Sequence, residues 1–296
     1  MSLYDGDARE VLAGLGVTEP KHVARVAGGW DTAIWRVEDA TATYALRVFR
    51  PEQASQCERE QAVLAAGAAA GLPVPAVHAS TVWRDRPALL MAWCAGEPVL
   101  DAVRAHPWRV WTLGVAMGQL HARIHSAPVP ETLRQRLPDW ITRAGEAELA
   151  LRQRLSGANR SPGVLLHLDY HPLNVMAADG DLTGVLDWAN ASVGDPRADI
   201  ARTVSLLRLA PLPPEAASVL ASGLRVVLES AWRVGYGRVR GEPRDMALFY
   251  AWAGSMMQRD LEPKLGRPGV WLQRSDLARM RRWTQTWKRR AGLRPY

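Results

Sequence analysis

Alternating apolar and polar positions predict short strands in the first ninety residues of the chain. Three such segments, each bounded by glycine or polar residues, lie at residues 23–26, 33–37 and 44–49. A continuous apolar run at residues 88–93 is short enough for a buried strand. Residues 55–70 predict a helix, with Ser55 as its N-cap and Gly71 as its stop. This order of elements is typical of a small antiparallel-sheet lobe.

After Gly96 the apolar residues recur at helical spacing. One helix is marked by Trp108, Trp111, Val115, Leu120 and Ile124, and a second is predicted over residues 140–155. Hairpin-like apolar runs follow at residues 164–166, 175–177 and 185–186, and helices dominate again from Ala198. The predicted fold is α+β and bilobal, with an antiparallel-sheet lobe over residues 1–95 and a larger, mainly helical lobe over residues 96–296.

Composition narrows the class of protein. The chain has 296 residues and 48% apolar content, which excludes a mainly disordered protein. Its two cysteines, Cys57 and Cys94, give neither a disulfide framework nor a metal-binding spacing. The first residues lack the features of a signal peptide, and the longest apolar tract, residues 62–77, is broken by glycine and proline. We therefore expect a cytoplasmic protein without a membrane partner.

Charge is distributed unevenly along the chain. Residues 205–296 carry 17 Lys/Arg against 7 Asp/Glu, or +10, whereas the rest of the chain carries −3. Such a basic region is typical of a nucleic-acid partner, an anionic substrate or a solvated helical face. Because no recognition-helix or zinc-finger pattern accompanies it, we expect no nucleic-acid partner. Arginine outnumbers lysine by 34 to 3, which weakens any functional argument from a single arginine.

Two polar segments contain the residue types that phosphoryl transfer needs. The first, residues 167–174, reads His-Leu-Asp-Tyr-His-Pro-Leu-Asn, and the second, residues 185–188, reads Val-Leu-Asp-Trp. A carboxylate at Asp169, an amide at Asn174 and a second carboxylate at Asp187 follow one another in the order found in kinase-type enzymes. One carboxylate accepts the proton of the attacking hydroxyl, and the other two groups bind the metal ion beside the phosphates.

The first segment resembles the H-G-D-x-H-x-x-N motif of the aminoglycoside phosphotransferase and choline kinase family, relatives of protein kinases. The second resembles that family's I-D-W block, and Gly194-Asp195-Pro196 with Asp199 resembles the G-D-P…D block that follows it. The resemblance implies a protein-kinase-like fold, with ATP or GTP bound between the lobes. It further implies that Asp169 is the catalytic base and that Asn174 and Asp187 bind Mg²⁺.

Other polar residues of these segments receive lesser roles. We expect His167 to support the loop backbone, whereas His171 is compatible with loop support or with substrate contact. The resemblance gives Asp195 and Asp199 a structural role, tying the metal-binding segment to the helix after it. One residue departs from the family pattern, since Leu168 stands where the family usually has glycine. Glycine permits unusual backbone angles, so the shape of this loop is left open.

The resemblance also assigns residues of the small lobe to the nucleotide. Arg47 takes the place of the phosphate-binding lysine of protein kinases, with Glu60 as its expected partner and Glu58 as the less favoured one. Gly28 and Gly29 form the candidate phosphate-covering turn. The hinge that meets the adenine edge is expected at residues 91–94, with three candidate contacts: Met91, Trp93 and Cys94.

The function implied is an ATP-dependent small-molecule O-kinase, present as a monomer or a homodimer. Its acceptor is a hydroxyl compound, and the +10 charge of residues 205–296 favours a neutral or anionic acceptor over a polycationic aminoglycoside. An acidic pocket around Asp260, Glu262 or Asp276 would reverse that argument. The alternatives are a catalytically silent nucleotide-binding module and a protein-Ser/Thr kinase, although no A-P-E segment follows Asp187. Most of the 13 tryptophans are expected to be core and lobe-packing residues.

Overall fold

The computed structural model of the protein describes residues 5–26, 32–158, 163–211, 219–267 and 270–293. The chain forms two units, the first made of Met1–Gly96 with Thr183–Ala189 and the second of Glu97–Leu182 with Asn190–Tyr296. Within these described residues, no helix is long and apolar enough to cross a membrane.

The first unit is built on a five-stranded antiparallel sheet in the order β1-β2-β3-β5-β4. The strands are β1 (His22–Arg25), β2 (Ala33–Glu38), β3 (Thr43–Val48), β4 (Val77–Trp83) and β5 (Arg86–Ala92). Helix α1 (Asp5–Gly14) and helix α2 (Ala54–Ala69) accompany the sheet. The three strands predicted before the helix and the one after it are confirmed within two residues, whereas α1 and β4 are absent from the sequence-based prediction.

Alternation along β3 separates a core face from a polar face. Leu46 and Val48 pack with Trp35 and with Leu12 of α1 in a cluster of fully or nearly fully buried side chains. Arg47 points to the opposite face of the same strand, because successive side chains of a strand alternate between faces. The chain therefore buries one apolar face under α1 and leaves the other for a charged residue.

Helix α2 ends as predicted but begins differently. Gly71 has a φ of +69°, and Leu72 N–H donates to the carbonyl of Gly67 at 3.0 Å, which is the bond of a Schellman stop. The predicted N-cap at Ser55 is wrong, because the α-helix starts at Ala54 as a continuation of a 3₁₀ turn. That turn starts at Pro51, whose fixed φ suits a first helical position.

The second unit is mainly helical. Its helices are α3 (Val99–Ala105), α4 (Val110–Ile124), α5 (Glu131–Arg136), α6 (Leu149–Ala158), α7 (Pro196–Leu209), α8 (Val219–Arg240), α9 (Ala247–Leu261) and α10 (Arg274–Arg290). Its strands are β6 (Glu97–Pro98), β7 (Val164–Leu166), β8 (Val175–Ala178), β10 (Ser192–Gly194) and the start of β9 (Asp181–Val185). Strand β10 pairs antiparallel with β7, and β6 pairs antiparallel with β8.

The helix predicted over residues 140–155 is wrong in its first half. Trp140–Ala144 and Glu146–Glu148 are 3₁₀ turns, and α6 begins only at Leu149. Gly145 separates the two turns with a φ of +99°, outside the helical region. Trp140 leaves the helical register because it is buried in the core, edge-on to Trp252 and stacked on Phe249.

Glycines set the approach of α4 and α8. A Cβ on Gly118 would lie 2.0 Å from the carbonyl oxygen of Trp232, and one on Gly235 would lie 2.0 Å from that of Val115. The two backbones therefore meet at a distance that a side chain of any size would prevent.

Candidate active site

The polar segment of residues 167–174 lies between β7 and β8, and Asp199 of α7 holds its start. The backbone N–H of His167 donates to Asp199 Oδ2 at 2.6 Å, and that of Leu168 donates to Asp199 Oδ1 at 2.8 Å. Leu168 is fully buried and has a φ of +60°. Leucine thus adopts the left-handed backbone at the position where the resembled family usually has glycine, at a conformational cost of about 1–2 kcal/mol.

A buried polar network surrounds Asp199. His125 Nε2 lies 3.1 Å from Asp199 Oδ2, and its Nδ1 lies 2.8 Å from the Tyr236 hydroxyl. His121 Nε2 also lies 3.1 Å from Asp199 Oδ2, without the alignment of a hydrogen bond, and its ring stacks on Tyr170. His121, His125 and Asp199 are residue types that bind metals. Hydrogen bonds alone satisfy Asp199 and His125, since both carboxylate oxygens of Asp199 and both ring nitrogens of His125 already have partners.

The protonation states of this network follow from burial and charge. Burial would raise the pKa of Asp199, but the neighbouring His121 and His125, the latter also through its hydrogen bond, hold that pKa well below its ordinary value. Burial, reinforced by His121, lowers the pKa of His125 to about 4. Asp199 is therefore an anion and His125 a neutral ring at neutral pH. The expectation that Asp199 ties the metal-binding segment is corrected, since it holds residues 167 and 168 instead.

Asp169 has a fixed orientation within the loop. Its N–H donates to His167 Nδ1 at 3.2 Å, and Asn174 Nδ2 lies 3.0 Å from its carbonyl oxygen and 3.3 Å from its Oδ2. Burial would raise the pKa of Asp169, but hydrogen bonding and charge from His171, with Arg202 and His167 as smaller contributors, bring it to about 2. The side chain keeps 21% exposure, so an ionised carboxylate is presented at the surface of the loop.

Asn174 and His171 share the same turn. Asn174 N–H donates to the His171 carbonyl at 2.9 Å, and Asn174 Nδ2 lies 3.3 Å from His171 Nε2. His171 Nδ1 accepts from the Leu173 N–H at 3.3 Å. These contacts favour loop support as the role of His171. They also engage the side-chain amide nitrogen of Asn174 and leave its side-chain carbonyl oxygen available. A hard cation binds such an oxygen.

In the first unit, Arg47 and Glu60 form a buried ion pair between β3 and α2. The predicted pairing with Glu60 rather than Glu58 is confirmed. The Arg47 guanidinium also donates to the Thr32 hydroxyl at 3.0 Å and lies 5.0 Å from the centre of the Phe49 ring. Burial raises the pKa of Glu60 to about 7, although Arg47 lowers it.

Asp187 belongs to the same unit and lies beside this pair. Its Oδ1 is 3.5 Å from Arg47 Nη2, its side chain is 45% exposed, and its φ is +59°. Trp188, which follows it, is buried and donates from its indole nitrogen to the Val185 carbonyl at 3.0 Å. The buried tryptophan anchors the turn, and the exposed carboxylate is free of the core.

Three further nucleotide candidates lie near the end of β5 or directly after it. Met91 is buried within the strand and pairs with Ala45, whereas Trp93 and Cys94 follow the strand end. Trp93 N–H donates to the Thr43 carbonyl at 3.1 Å, and burial raises the pKa of Cys94 to about 11. Gly28 and Gly29 lie outside the described residues. Nucleotide contact by these residues stays a prediction.

Sequence reasoning did not identify the residues that support the loop. Four buried residues contact the loop or Asp199, and they lie on or directly after three different helices: His121, His125, Tyr236 and Arg202. One signal was present in the sequence, since His121 and His125 recur at i and i+4 in the apolar stretch that forms and follows α4. Two polar rings on one face of an apolar helix indicate a buried polar partner.

The chain matches the model of the phosphotransferase enzyme family over residues 22–241. It belongs to this family, because the match covers well over half of its length. Its members transfer a phosphoryl group to a hydroxyl of a small molecule, and the chain is a phosphotransferase of that class. A search of curated protein sequences found no match.

Solved structures similar to this one have the same fold throughout. A proposed aminoglycoside phosphotransferase from Ralstonia eutropha JMP134 is 16% identical with a TM-score of 0.69, covering 99% of this chain and 100% of that one. A thermostable mutant of aminoglycoside phosphotransferase APH(4)-Ia, in a ternary complex with AMP-PNP and hygromycin B, is 14% identical with a TM-score of 0.67, covering 96% and 98%. The amicoumacin kinase hAmiN, in complex with AMP-PNP, Ca²⁺ and Ami, is 14% identical with a TM-score of 0.64, covering 92% and 89%.

At these identities the structures establish the fold alone. The predicted α+β, protein-kinase-like fold is confirmed, with its small antiparallel sheet and its mainly helical remainder. The complexes contain different compounds, hygromycin B in one and Ami in another, so the shared fold does not define the acceptor of this chain.

Proposed function

We propose that the protein is an ATP-dependent small-molecule O-phosphotransferase in which Asp169 orients and deprotonates the acceptor hydroxyl. The observation that carries the proposal is the state of Asp169, an ionised, partly exposed carboxylate that is oriented through its own peptide and Asn174. An ionised carboxylate accepts hydrogen bonds only, so it selects a donor such as a hydroxyl group.

The low pKa of Asp169 defines how it assists the reaction. A carboxylate with a pKa of about 2 is a weak base toward a free alcohol. Phosphoryl transfer proceeds through a loose transition state, in which the attacking oxygen bonds late and becomes acidic only as it bonds. Asp169 therefore contributes mainly by aligning the hydroxyl, and it takes the proton at the end of the step.

The donor set of Asn174 and Asp187 fits a hard divalent cation, and we assign Mg²⁺ to them. The side-chain amide nitrogen of Asn174 makes the hydrogen bonds to Asp169, which leaves the side-chain carbonyl oxygen of Asn174 available to a cation. Asp187 presents a carboxylate that is 45% exposed. Oxygen ligands of this kind suit Mg²⁺, which commonly binds proteins through one or two carboxylates together with phosphates. The bound ion would neutralise the charge on the β- and γ-phosphates.

Arg47 is assigned to the phosphates of the nucleotide. A guanidinium binds two phosphate oxygens as a planar fork while another edge pairs with a carboxylate, and Glu60 occupies such an edge here. Nucleotide use is supported by the AMP-PNP found in the APH(4)-Ia and amicoumacin kinase structures, and a divalent cation by the Ca²⁺ of the latter. The assignment of Met91, Trp93, Cys94, Gly28 and Gly29 to the nucleotide is part of the same proposal.

A neutral or anionic acceptor is favoured over a polycation. The three carboxylates that would provide an acidic pocket are each paired with arginine: Asp260 with Arg202 and Arg259, Glu262 with Arg281, and Asp276 with Arg279. A paired carboxylate offers little net attraction to a cationic ligand. Together with the +10 charge of residues 205–296, these pairs argue against the aminoglycoside acceptors of the similar structures.

The test is a phosphorylation screen with ATP, GTP and Mg²⁺ against three matched acceptor pools of polycationic, neutral and anionic hydroxyl compounds, read by mass increase. Asp169→Asn and Asp187→Asn should each lower turnover by at least about 100-fold, because both remove a group that acts at the reacting atoms. Asp181→Asn, an exposed carboxylate of β9, serves as the matched control and should leave turnover unchanged.

Four outcomes would contradict the proposal, each in a different part. Nucleotide binding by thermal shift without turnover on any pool would favour the silent nucleotide-binding module. Labelled phosphate in protein but in no small molecule would favour a protein kinase. Full turnover by the Asp169→Asn enzyme would remove the assignment of the base. Turnover confined to the polycationic pool would keep the reaction but overturn the acceptor class.

A further inference from the structure

The peptide that joins Leu168 to Asp169 is fixed at both ends by side chains. Its carbonyl oxygen, that of Leu168, accepts a hydrogen bond from Arg202 Nε at 3.3 Å. Its N–H, that of Asp169, donates to His167 Nδ1 at 3.2 Å. The plane of this peptide sets the direction in which the Asp169 side chain leaves the backbone. Arg202 therefore contacts the peptide group that directly precedes the proposed base.

Arg202 and Asp199 hold opposite ends of the same residue. They are three positions apart on α7, and therefore on one face of that helix. Asp199 accepts from the N–H of Leu168, and Arg202 donates to the carbonyl of Leu168. Between these two bonds Leu168 has a φ of +60°, a conformation that an L-residue with a side chain avoids and glycine adopts readily.

The surroundings of Arg202 indicate a fixed structural position rather than a substrate contact. The residue is 5% exposed, and its Nη2 donates to Asp260 Oδ2 of α9 at 3.2 Å. Its Nη1 is buried and makes no hydrogen bond with the described residues. A guanidinium buried with one donor unused is costly, which indicates that its position serves the contact it makes with the loop.

We propose that Arg202 is a positioning residue for Asp169, which it directs by holding the carbonyl of the strained Leu168. The inference rests on the proposed function, because it takes Asp169 as the group that orients the acceptor. A glycine at position 168 keeps the left-handed backbone by itself, whereas this chain combines a leucine with two side-chain hydrogen bonds from α7. Without the bond from Arg202, a non-glycine residue at position 168 relaxes toward negative φ and turns Asp169 away from the hydroxyl.

The test compares Arg202→Met in two backgrounds, Leu168→Ala and Leu168→Gly. Both backgrounds remove the buried leucine side chain, and they differ chiefly in whether the left-handed backbone is strained. The readout is Mg²⁺-dependent hydrolysis of ATP with water as the acceptor, measured as kcat and as KM for ATP. In the Leu168→Ala background, Arg202→Met should lower kcat by ~10- to 100-fold with KM changed less than about twofold. In the Leu168→Gly background, the same change should cost less than about fivefold.

Two further variants separate geometry from charge. Arg202→Lys keeps a positive charge near Asp169 but loses the planar fork, so it should behave like Arg202→Met. Arg259→Met removes the other arginine of Asp260 without touching the loop, and it should leave kcat unchanged. Unfolding transitions of all variants show whether a loss of kcat merely follows a loss of folded protein.

Equal losses of kcat in the alanine and glycine backgrounds would overturn the inference, as would full activity of Arg202→Lys. A wild-type enzyme that transfers phosphate to no acceptor, water included, would instead contradict the proposed function. In that case the unfolding free energies of the same variants still test the Leu168–Arg202 contact. If the two residues are coupled, the effects of substituting both on the unfolding free energy are not additive, and the deviation is larger with alanine than with glycine at position 168. Additive changes would overturn the contact itself.

Discussion

Arg47 Nη2 lies 3.5 Å from Asp187 Oδ1, while Nη1 of the same guanidinium is paired with the buried Glu60. One side chain of β3 thus links the carboxylate proposed to bind the metal with a carboxylate inside the first unit. The burial of Arg47 and Glu60 fixes the guanidinium, because a buried charge is stable only where it is paired. This relationship makes Arg47 the most direct point at which to test nucleotide binding.

Arg47→Lys should raise the KM for ATP by about tenfold or more and lower kcat less. Lysine keeps the charge but loses the fork that binds phosphate and carboxylate together. The measurement is steady-state ATP turnover, with Arg50→Lys as the control, since Arg50 lies exposed just after the same strand. Equal effects of the two substitutions would show that Arg47 has no particular role in nucleotide binding.

Glu60→Gln should remove a pH dependence of stability. The pKa of Glu60 is raised from 4.5 to about 7 by burial, so the folded state holds its proton more tightly than the unfolded state. Its contribution is complete below about pH 4.5 and is lost as the pH rises through 7. Relative to Glu60→Gln, the wild type should therefore lose on the order of 2–3 kcal/mol of unfolding free energy over that range.

The measurement is denaturant unfolding at a series of pH values, with the exposed Glu58→Gln as the matched control. Parallel curves for the wild type and Glu60→Gln would show that Glu60 does not titrate in this window.

His125→Gln should show the opposite sign. Burial, with the neighbouring His121, lowers the pKa of His125 from 6.5 to about 4, so this residue contributes stability above pH 6.5. That contribution is lost as the pH falls through 4. Relative to His125→Gln, the wild type should lose on the order of 2–3 kcal/mol between pH 6.5 and 4. The exposed His106→Gln is the control, and a wild-type curve that parallels the His125→Gln curve would contradict the assignment.

Gly118→Ala should destabilise the second unit strongly. Its Cβ would lie 2.0 Å from the Trp232 carbonyl oxygen, so α4 and α8 would have to separate, at a cost of about 3 kcal/mol or more. Gly223→Ala provides the matched control on α8, because nothing lies within 4 Å of its Cβ. That substitution should be neutral or stabilise by up to about 1 kcal/mol, as measured by thermal or denaturant unfolding.

Elements with a strong local signal were predicted closely. Strand β3 follows from alternation that brings Leu46 and Val48 to one face, and the end of α2 follows from Gly71. Strand β4 escaped prediction because its exposed and half-buried residues include polar ones on both faces, which weakens the apolar pattern. The helix predicted from residue 140 failed because burial of Trp140 against Trp252 overrode local periodicity.

The chemical groups proposed for the reaction were identified from the sequence, because Asp169, Asn174 and Asp187 lie in two short motifs whose spacing is local. Residues that hold the loop around Asp169 come from elsewhere: Asp199 and Arg202 lie on α7, His125 directly follows α4, and Tyr236 lies on α8. Sequence determined the kinase-like class and the pairing of Arg47 with a carboxylate of α2. Only the tertiary structure decided that Leu168 is held left-handed, because that conformation depends on hydrogen bonds to residues more than thirty positions away.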